Sequence, residues 1–243
     1  MDYSIIIYII LGLLPSLTWL FYYLTKDLHP EPKRMIIKVF LWGAFITLPV
    51  FFVQIGLTKL LDMANVGHTT LVWGIIYWFI IISFSEEIFK YLVIRVKVVD
   101  SHHLDEPVDV MLYMVVSALG FAAVENILYL FAPMGQMSID ELIGRALLVT
   151  FIRFIGATFL HTLCSAVIGY FLAISFCHVK SRHIVIVAGI IMATVLHGLY
   201  DFFIIKLPDP SGYIVPAITI LILAVLVFVG FEKLKKMKSI CKI

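Results

Sequence analysis

Hydrophobic positions in this chain do not alternate with polar ones. They run in seven long apolar stretches, near residues 4–24, 35–61, 70–97, 108–131, 145–178, 184–206 and 212–232. Each exceeds the ~20 residues that a helix needs to cross a bilayer. Short linkers rich in Pro, Gly, Asp and Lys separate them, such as Asp100 to Pro107. Within hydrocarbon every backbone N–H and C=O must be bonded inside the protein, so the pattern predicts helices. The expected fold class is all-α: a polytopic transmembrane helical bundle of about seven spans, forming one integral membrane domain over residues 1–243. The first run, Ser4 to Leu24, has no basic n-region and no small-residue cleavage site, so it reads as a retained helix rather than a signal peptide.

Composition agrees and excludes a soluble domain. The chain is 62% hydrophobic and 14% charged, with mean hydropathy +1.07. A soluble domain is near half apolar, with about a quarter of its residues charged. The net charge of +2 says little, but its distribution says more. One set of linkers and the tail carry Lys26, Lys33, Arg34, Arg95, Lys97, Lys180, Arg182, Lys233, Lys235, Lys236, Lys238 and Lys242. The opposite set carries only Lys59, Arg145 and Lys206. This bias places the N-terminus outside and the C-terminus in the cytoplasm of a multi-pass cell-membrane protein. Cys164, Cys177 and Cys241 show no paired spacing, so neither a disulfide framework nor a cysteine metal cluster is expected.

Against this background the ionisable residues inside the spans stand out. The third span carries Ser83-Phe84-Ser85-Glu86-Glu87-Ile88-Phe89-Lys90. Each charge at the bilayer centre costs several kcal/mol, on the order of 3 by insertion scales. A span that only anchors would not hold three. Glu86 and Lys90 are four apart and share a helix face, so they can pair. Glu87 is rotated by about 100° and can point elsewhere. The fourth span holds Glu125 and Asn126, the fifth Arg153 and His161, and the sixth His197 and Asp201, again four apart. Counted from the cytoplasmic ends at ~1.5 Å per residue, Glu86 lies ~16 Å deep, His197 ~20 Å, and Glu125 and His161 ~26 Å. Four helices can therefore meet in one layer near mid-bilayer. Converging carboxylates and imidazoles suit hydrolysis, with a glutamate as general base on water. Two histidines and a carboxylate can bind a divalent metal, or hydrogen-bond the water and the oxyanion. Glu125-Asn126 also suits plain interhelical hydrogen bonding. Cys164 and Ser165 read as small packing residues.

Glu86-Glu87-Ile88-Phe89-Lys90 resembles the E-E-x-x-K motif of the PrsW family of intramembrane proteases. Asp105-Glu106-Pro107-Val108-Asp109, followed by Gly120 to Tyr129, resembles its second signature. Phe159-Leu160-His161-Thr162 is similar to the third, and His197-Gly198-Leu199-Tyr200-Asp201 to the last, an H-x-x-x-[ND] pattern. His29-Pro30-Glu31-Pro32 resembles the family's first loop. The core motifs fall within 83–203, and the whole likeness runs from about residue 27 to 203. Where the related CAAX prenyl endopeptidases have F-x-x-x-H, this chain has Phe121-x-x-x-Glu125, which favours PrsW. The resemblance implies site-1 type cleavage of a single-span membrane protein, typically an anti-sigma factor, within the lipid bilayer and with no nucleic-acid partner. It implies Glu86, Glu87, His161 and His197 as catalytic and Lys90, Glu125, Asn126 and Asp201 as supporting. His161, His197 and Glu87 are the residues named for a metal, Zn²⁺ or another divalent ion. The motifs leave open whether there is one. Glu87 is the base if Lys90 is committed to Glu86; on that reading Glu87→Gln leaves folding intact and stops cleavage. The rival readings are an ion- or proton-coupled transporter and an inactive binding or immunity protein of the same fold.

Overall fold

The computed structural model describes residues 3–26, 29–64, 67–132, 139–206 and 210–237. Seven helical stretches are long and apolar enough to cross a membrane: Ile5–Leu24, Lys33–Met63, Leu71–Lys97, Pro107–Leu130, Asp140–Ser175, Arg182–Lys206 and Ile214–Lys235. They coincide with the seven apolar runs, and no strand occurs among the described residues. The helices are α1 (Tyr3–Leu24), α2 (Lys33–Met63), α3 (Leu71–Ile75), α4 (Ser85–Lys97), α5 (Pro107–Leu130), α6 (Ile139–Ile155), α7 (Ala157–Ser175), α8 (Arg182–Lys206) and α9 (Ile214–Lys235). A π-helix, Ile76–Phe84, joins α3 to α4.

α5 is the axis of the bundle. Its most apolar window is 94% buried, whereas that of α1 is 22% buried and that of α2 33%. Glycine lets α2 press against it. A Cβ at Gly120 would lie 2.0 Å from the Phe40 carbonyl oxygen, and one at Gly43 would lie 2.1 Å from that of Ser117. With lipid outside, such small-residue contacts supply the packing that the hydrophobic effect supplies in water. Large apolar side chains such as Phe52 and Phe228 point outward instead. The start of α5 explains the D-E-P-V-D motif physically. Pro107 opens the helix, and the Asp109 carboxylate accepts the backbone N–H of Glu106 at 2.7 Å, one arm of a capping box. The H-P-E-P loop docks on this cap: Tyr113 donates to Glu31, and His29 lies 2.6 Å from Glu106.

The fifth span is two helices rather than one. It breaks at Gly156, where the backbone leaves the helical region (φ −101°, ψ −97°). A carbonyl freed in a membrane must find another donor. Trp19 of α1 supplies one, its indole N–H bonding the Phe154 oxygen at 2.9 Å while its ring stacks on Phe154 and Phe159. Cys164 is buried as a free thiol. Cys241, Lys238 and Lys242 lie outside the described residues.

Candidate active site

The π-helix delivers the two glutamates. Serine hydroxyls bond its backbone: within it Ser83 donates to the Trp78 oxygen at 2.7 Å, and just past its end Ser85 donates to the Ile81 oxygen at 2.5 Å. Such turns frequently mark functional sites. Phe79 of the π-helix seats against Gly198, beside His197. Regular helix resumes at Ser85, so Glu86 and Glu87 lie in the first turn of α4 and face inward. Glu87 and Lys90 are completely buried, and Glu86, His161 and His197 nearly so.

Lys90 Nζ is the hub. It lies 2.8 Å from Glu87 Oε1, 2.8 Å from His161 Nδ1 and 3.4 Å from Glu86 Oε2. An ammonium only donates, so His161 Nδ1 accepts and its proton is on Nε2. That N–H points at Glu125 Oε2, 2.8 Å away. Glu125 is held in turn by Arg153 Nη2 at 2.7 Å, while Arg153 Nε donates to Asn126. Asn126 passes its own N–H groups to Thr158 and to the Gly12 oxygen. This chain of bonds ties α5, α6, α7 and α1 around one imidazole. His197 sits between carboxylates. Its Nδ1 is 2.9 Å from Glu87 Oε1, and its Nε2 is 3.3 Å from Asp201 Oδ2 and 4.0 Å from Glu86 Oε2.

The two glutamates end up differently. Glu87 is saturated: Lys90 and His197 reach Oε1, and Ser165 donates to Oε2 at 3.3 Å. Among the described residues Glu86 has no partner closer than 3.3 Å; that contact is the Gln54 side-chain amide on Oε1. The residue Lys90 approaches most closely is thus Glu87, not Glu86. Positions three apart share a helix face as positions four apart do, and His161 draws the ammonium to that side.

The donors fit a divalent metal in number and type. Glu86, His161 and His197 each offer an atom, all within 4.8 Å of one another, and the two imidazole rings stand at 85°. Each ring's other nitrogen faces a carboxylate, Glu125 for His161 and Glu87 for His197, as second-layer partners of ligating histidines do. Lys90 opposes the fit, because its ammonium occupies the His161 lone pair and must swing aside for an ion. Glu87, named from the sequence beside the two histidines, joins a different group, with Cys164 and His197.

All eight residues singled out from the sequence gather here: Glu86, Glu87, Lys90, Glu125, Asn126, His161, His197 and Asp201. Arg153, whose partner the sequence left undecided, pairs with Glu125. Two members were missed. Ser165 read as packing, and no sequence signal separates it from its small neighbours. Gln54 carried a signal, as an amide within an apolar run of α2. A census restricted to ionisable groups passes over it.

Comparison with known proteins places this geometry in context. Residues 31–231 match the family described as PrsW family intramembrane metalloprotease. Protease PrsW of Bacillus subtilis (strain 168) is 29% identical over 231 residues, 94% of both chains. Protease PrsW of Geobacillus kaustophilus is 29% identical over 195 residues, 80% of this chain and 78% of the relative. That of Clostridioides difficile is 28% identical over 200 residues, 80% of this chain and 78% of the relative. No solved structure matches the chain significantly.

Proposed function

The chain belongs to the PrsW family of intramembrane metalloproteases, and on that premise we propose that it cleaves a single-span membrane protein of the anti-sigma-factor kind, with Glu86 taking the proton of the attacking water. It is a multi-pass membrane peptidase; a transporter role falls away. The observation that carries the choice of Glu86 is the unequal saturation of the pair. Three donors engage the oxygens of Glu87, whereas Glu86 has only long contacts and room to accept a proton. A general base must be free to form a short bond to water, and a carboxylate already bonded at both oxygens is not.

In this reading Glu87 organises. It orients His197 through Nδ1 and neutralises Lys90. Arg153 and Asn126 hold Glu125, which orients His161. His161 Nδ1, His197 Nε2 and a carboxylate oxygen of Glu86 would hold a divalent ion such as zinc. Such an ion, when bound, polarises the carbonyl and makes water more acidic. Without an ion, the N–H at His197 Nε2 is the donor for a developing oxyanion, since the three N–H groups of Lys90 are engaged by Glu86, Glu87 and His161. The scissile bond must leave its helix before it can be attacked, since a helical peptide bond is sterically and hydrogen-bond protected. It therefore belongs at the end of the substrate's span. The lysine and arginine distribution supports an outside N-terminus and a cytoplasmic C-terminus. Residues 1–243 are proposed to act as one membrane domain.

The test is cleavage of a single-span anti-sigma-type substrate by the purified full chain in detergent, with and without a strong chelator. Cleavage by the wild type, and cleavage about 10³-fold slower by Glu86→Gln, is expected. Normal turnover in Glu86→Gln overturns the assignment of the base. Cleavage untouched by chelator, with no metal found by elemental analysis, removes the metal and leaves the glutamate.

A further inference from the structure

A second feature lies away from the peptidase centre, on the lipid-facing side of α2. A groove of about 490 Å³ runs there, lined by Arg34, Ile37, Lys38, Leu41, Trp42 and Phe45. These positions recur every three to four residues, so they form one stripe of the helix. Its upper end is cationic and its lower end apolar. Lys97, from the end of α4, reaches over the same stripe, with Nζ 4.0 Å from the Trp42 ring centroid.

The charges at this end are not balanced by protein. Among the described residues neither Arg34, Lys38 nor Lys97 forms an ion pair, whereas Arg95 of the same end pairs with Asp100 at 3.1 Å. Lys38 stands five residues into α2, ~7.5 Å along the axis from the start of the span. From that position near the end of the span, a long lysine side chain can reach up to the phosphate and glycerol region of a bilayer. Three cations from two helices over an apolar trough match one class of molecule: a phosphate with a hydrocarbon tail. Juxtamembrane basic clusters attract anionic lipid through this combination. We propose that the groove binds an anionic phospholipid of the surrounding bilayer, its phosphate on Arg34, Lys38 and Lys97 and an acyl chain along Ile37, Leu41 and Phe45. The inference is independent of the peptidase reading.

The test uses the full chain in a neutral detergent, titrated with brominated phosphatidylglycerol or brominated phosphatidylcholine. Bromine quenches nearby indoles, and the Trp42→Phe variant isolates the Trp42 signal. Phosphatidylglycerol is expected to quench Trp42 at a mole fraction at least about fivefold lower than phosphatidylcholine, the size expected from one added cation–headgroup contact. The Arg34→Gln, Lys38→Gln, Lys97→Gln triple variant is expected to abolish the difference. A control with Lys233→Gln and Lys235→Gln, at the end of α9, is expected to keep it. Should the triple variant fail to fold, Lys38→Gln alone is expected to reduce the preference several-fold. Ile37→Phe with Leu41→Phe fills the trough while leaving the charges, and is expected to weaken quenching by both lipids. Equal quenching by the two lipids overturns the proposal, and so does a preference that survives loss of the charges. Complete competition by soluble glycerol phosphate also overturns it, because the ligand would then be a free phosphate.

Discussion

Glu86 and Glu87 are chain neighbours, yet they face two differently built regions. The Glu87 side is walled by α7 and α8 and is closed, with each carboxylate oxygen matched to a donor from Lys90, His197 or Ser165. The Glu86 side borders α2 and is loose, its nearest partners being Gln54 at 3.3 Å and Lys90 at 3.4 Å. On the proposed assignment of Glu86 as the base, the difference teaches how a membrane protein keeps a reactive carboxylate inside its core. One glutamate carries the electrostatic burden of holding a buried lysine, and the other is thereby left unsaturated.

The sharpest way to break this comparison is to neutralise each glutamate in turn. Glu86→Gln is expected to lower kcat by about 10³-fold, within the range of general-base removal, with an unchanged thermal midpoint. Glu87→Gln is expected to lower both activity and stability, because Lys90 then lacks its closest anion; removing one partner of a buried pair costs about 3–5 kcal/mol. Thermal unfolding of the two variants side by side checks this. Equal stability and equal activity loss would erase the distinction. This differs from the expectation that Glu87→Gln leaves folding intact, which rested on Lys90 belonging to Glu86.

A chelator is expected to remove nearly all activity, and zinc to restore it. His161→Ala and His197→Ala are expected to lose bound metal by elemental analysis. Arg153→Met comes next in size. It strands Glu125 in a mostly buried position, and a fall in stability of about 3 kcal/mol is expected, with Arg153→Lys recovering part. The smallest effect is expected from Gln54→Ala, which removes one hydrogen bond to a charged group, about 1.5–3 kcal/mol. About a tenfold drop or more in kcat with little change in KM would show that Gln54 aims Glu86 rather than binding substrate.

Much of the candidate site was legible because charge in hydrocarbon is costly. Glu86, Glu87, Lys90, Glu125, His161, His197 and Asp201 are conspicuous against their apolar surroundings, and helix rise alone brought four spans to a similar depth. Pairing was not legible. Spacing of three and spacing of four both put a carboxylate beside Lys90, so the local sequence could not say which glutamate it would hold. His161, 71 positions away, shares in that decision. Ser165 and Gln54 carry no charge and therefore gave weak signals, although both touch the glutamates.

The sequence by itself determined the seven spans, the all-helical class and the roster of ionisable residues. Each follows from a local rule: an apolar run must satisfy its own backbone in lipid, and a charge within such a run requires compensation. Only the tertiary structure decided where the third span loosens into a π-helix and where the fifth breaks at Gly156. It also decided which carboxylate is saturated and which donors turn toward Glu86. These depend on contacts between helices distant in the chain, such as Trp19 on the Phe154 carbonyl and Phe79 against Gly198. No local pattern encodes them, because the energy of each is shared between two segments that meet only when the bundle is packed.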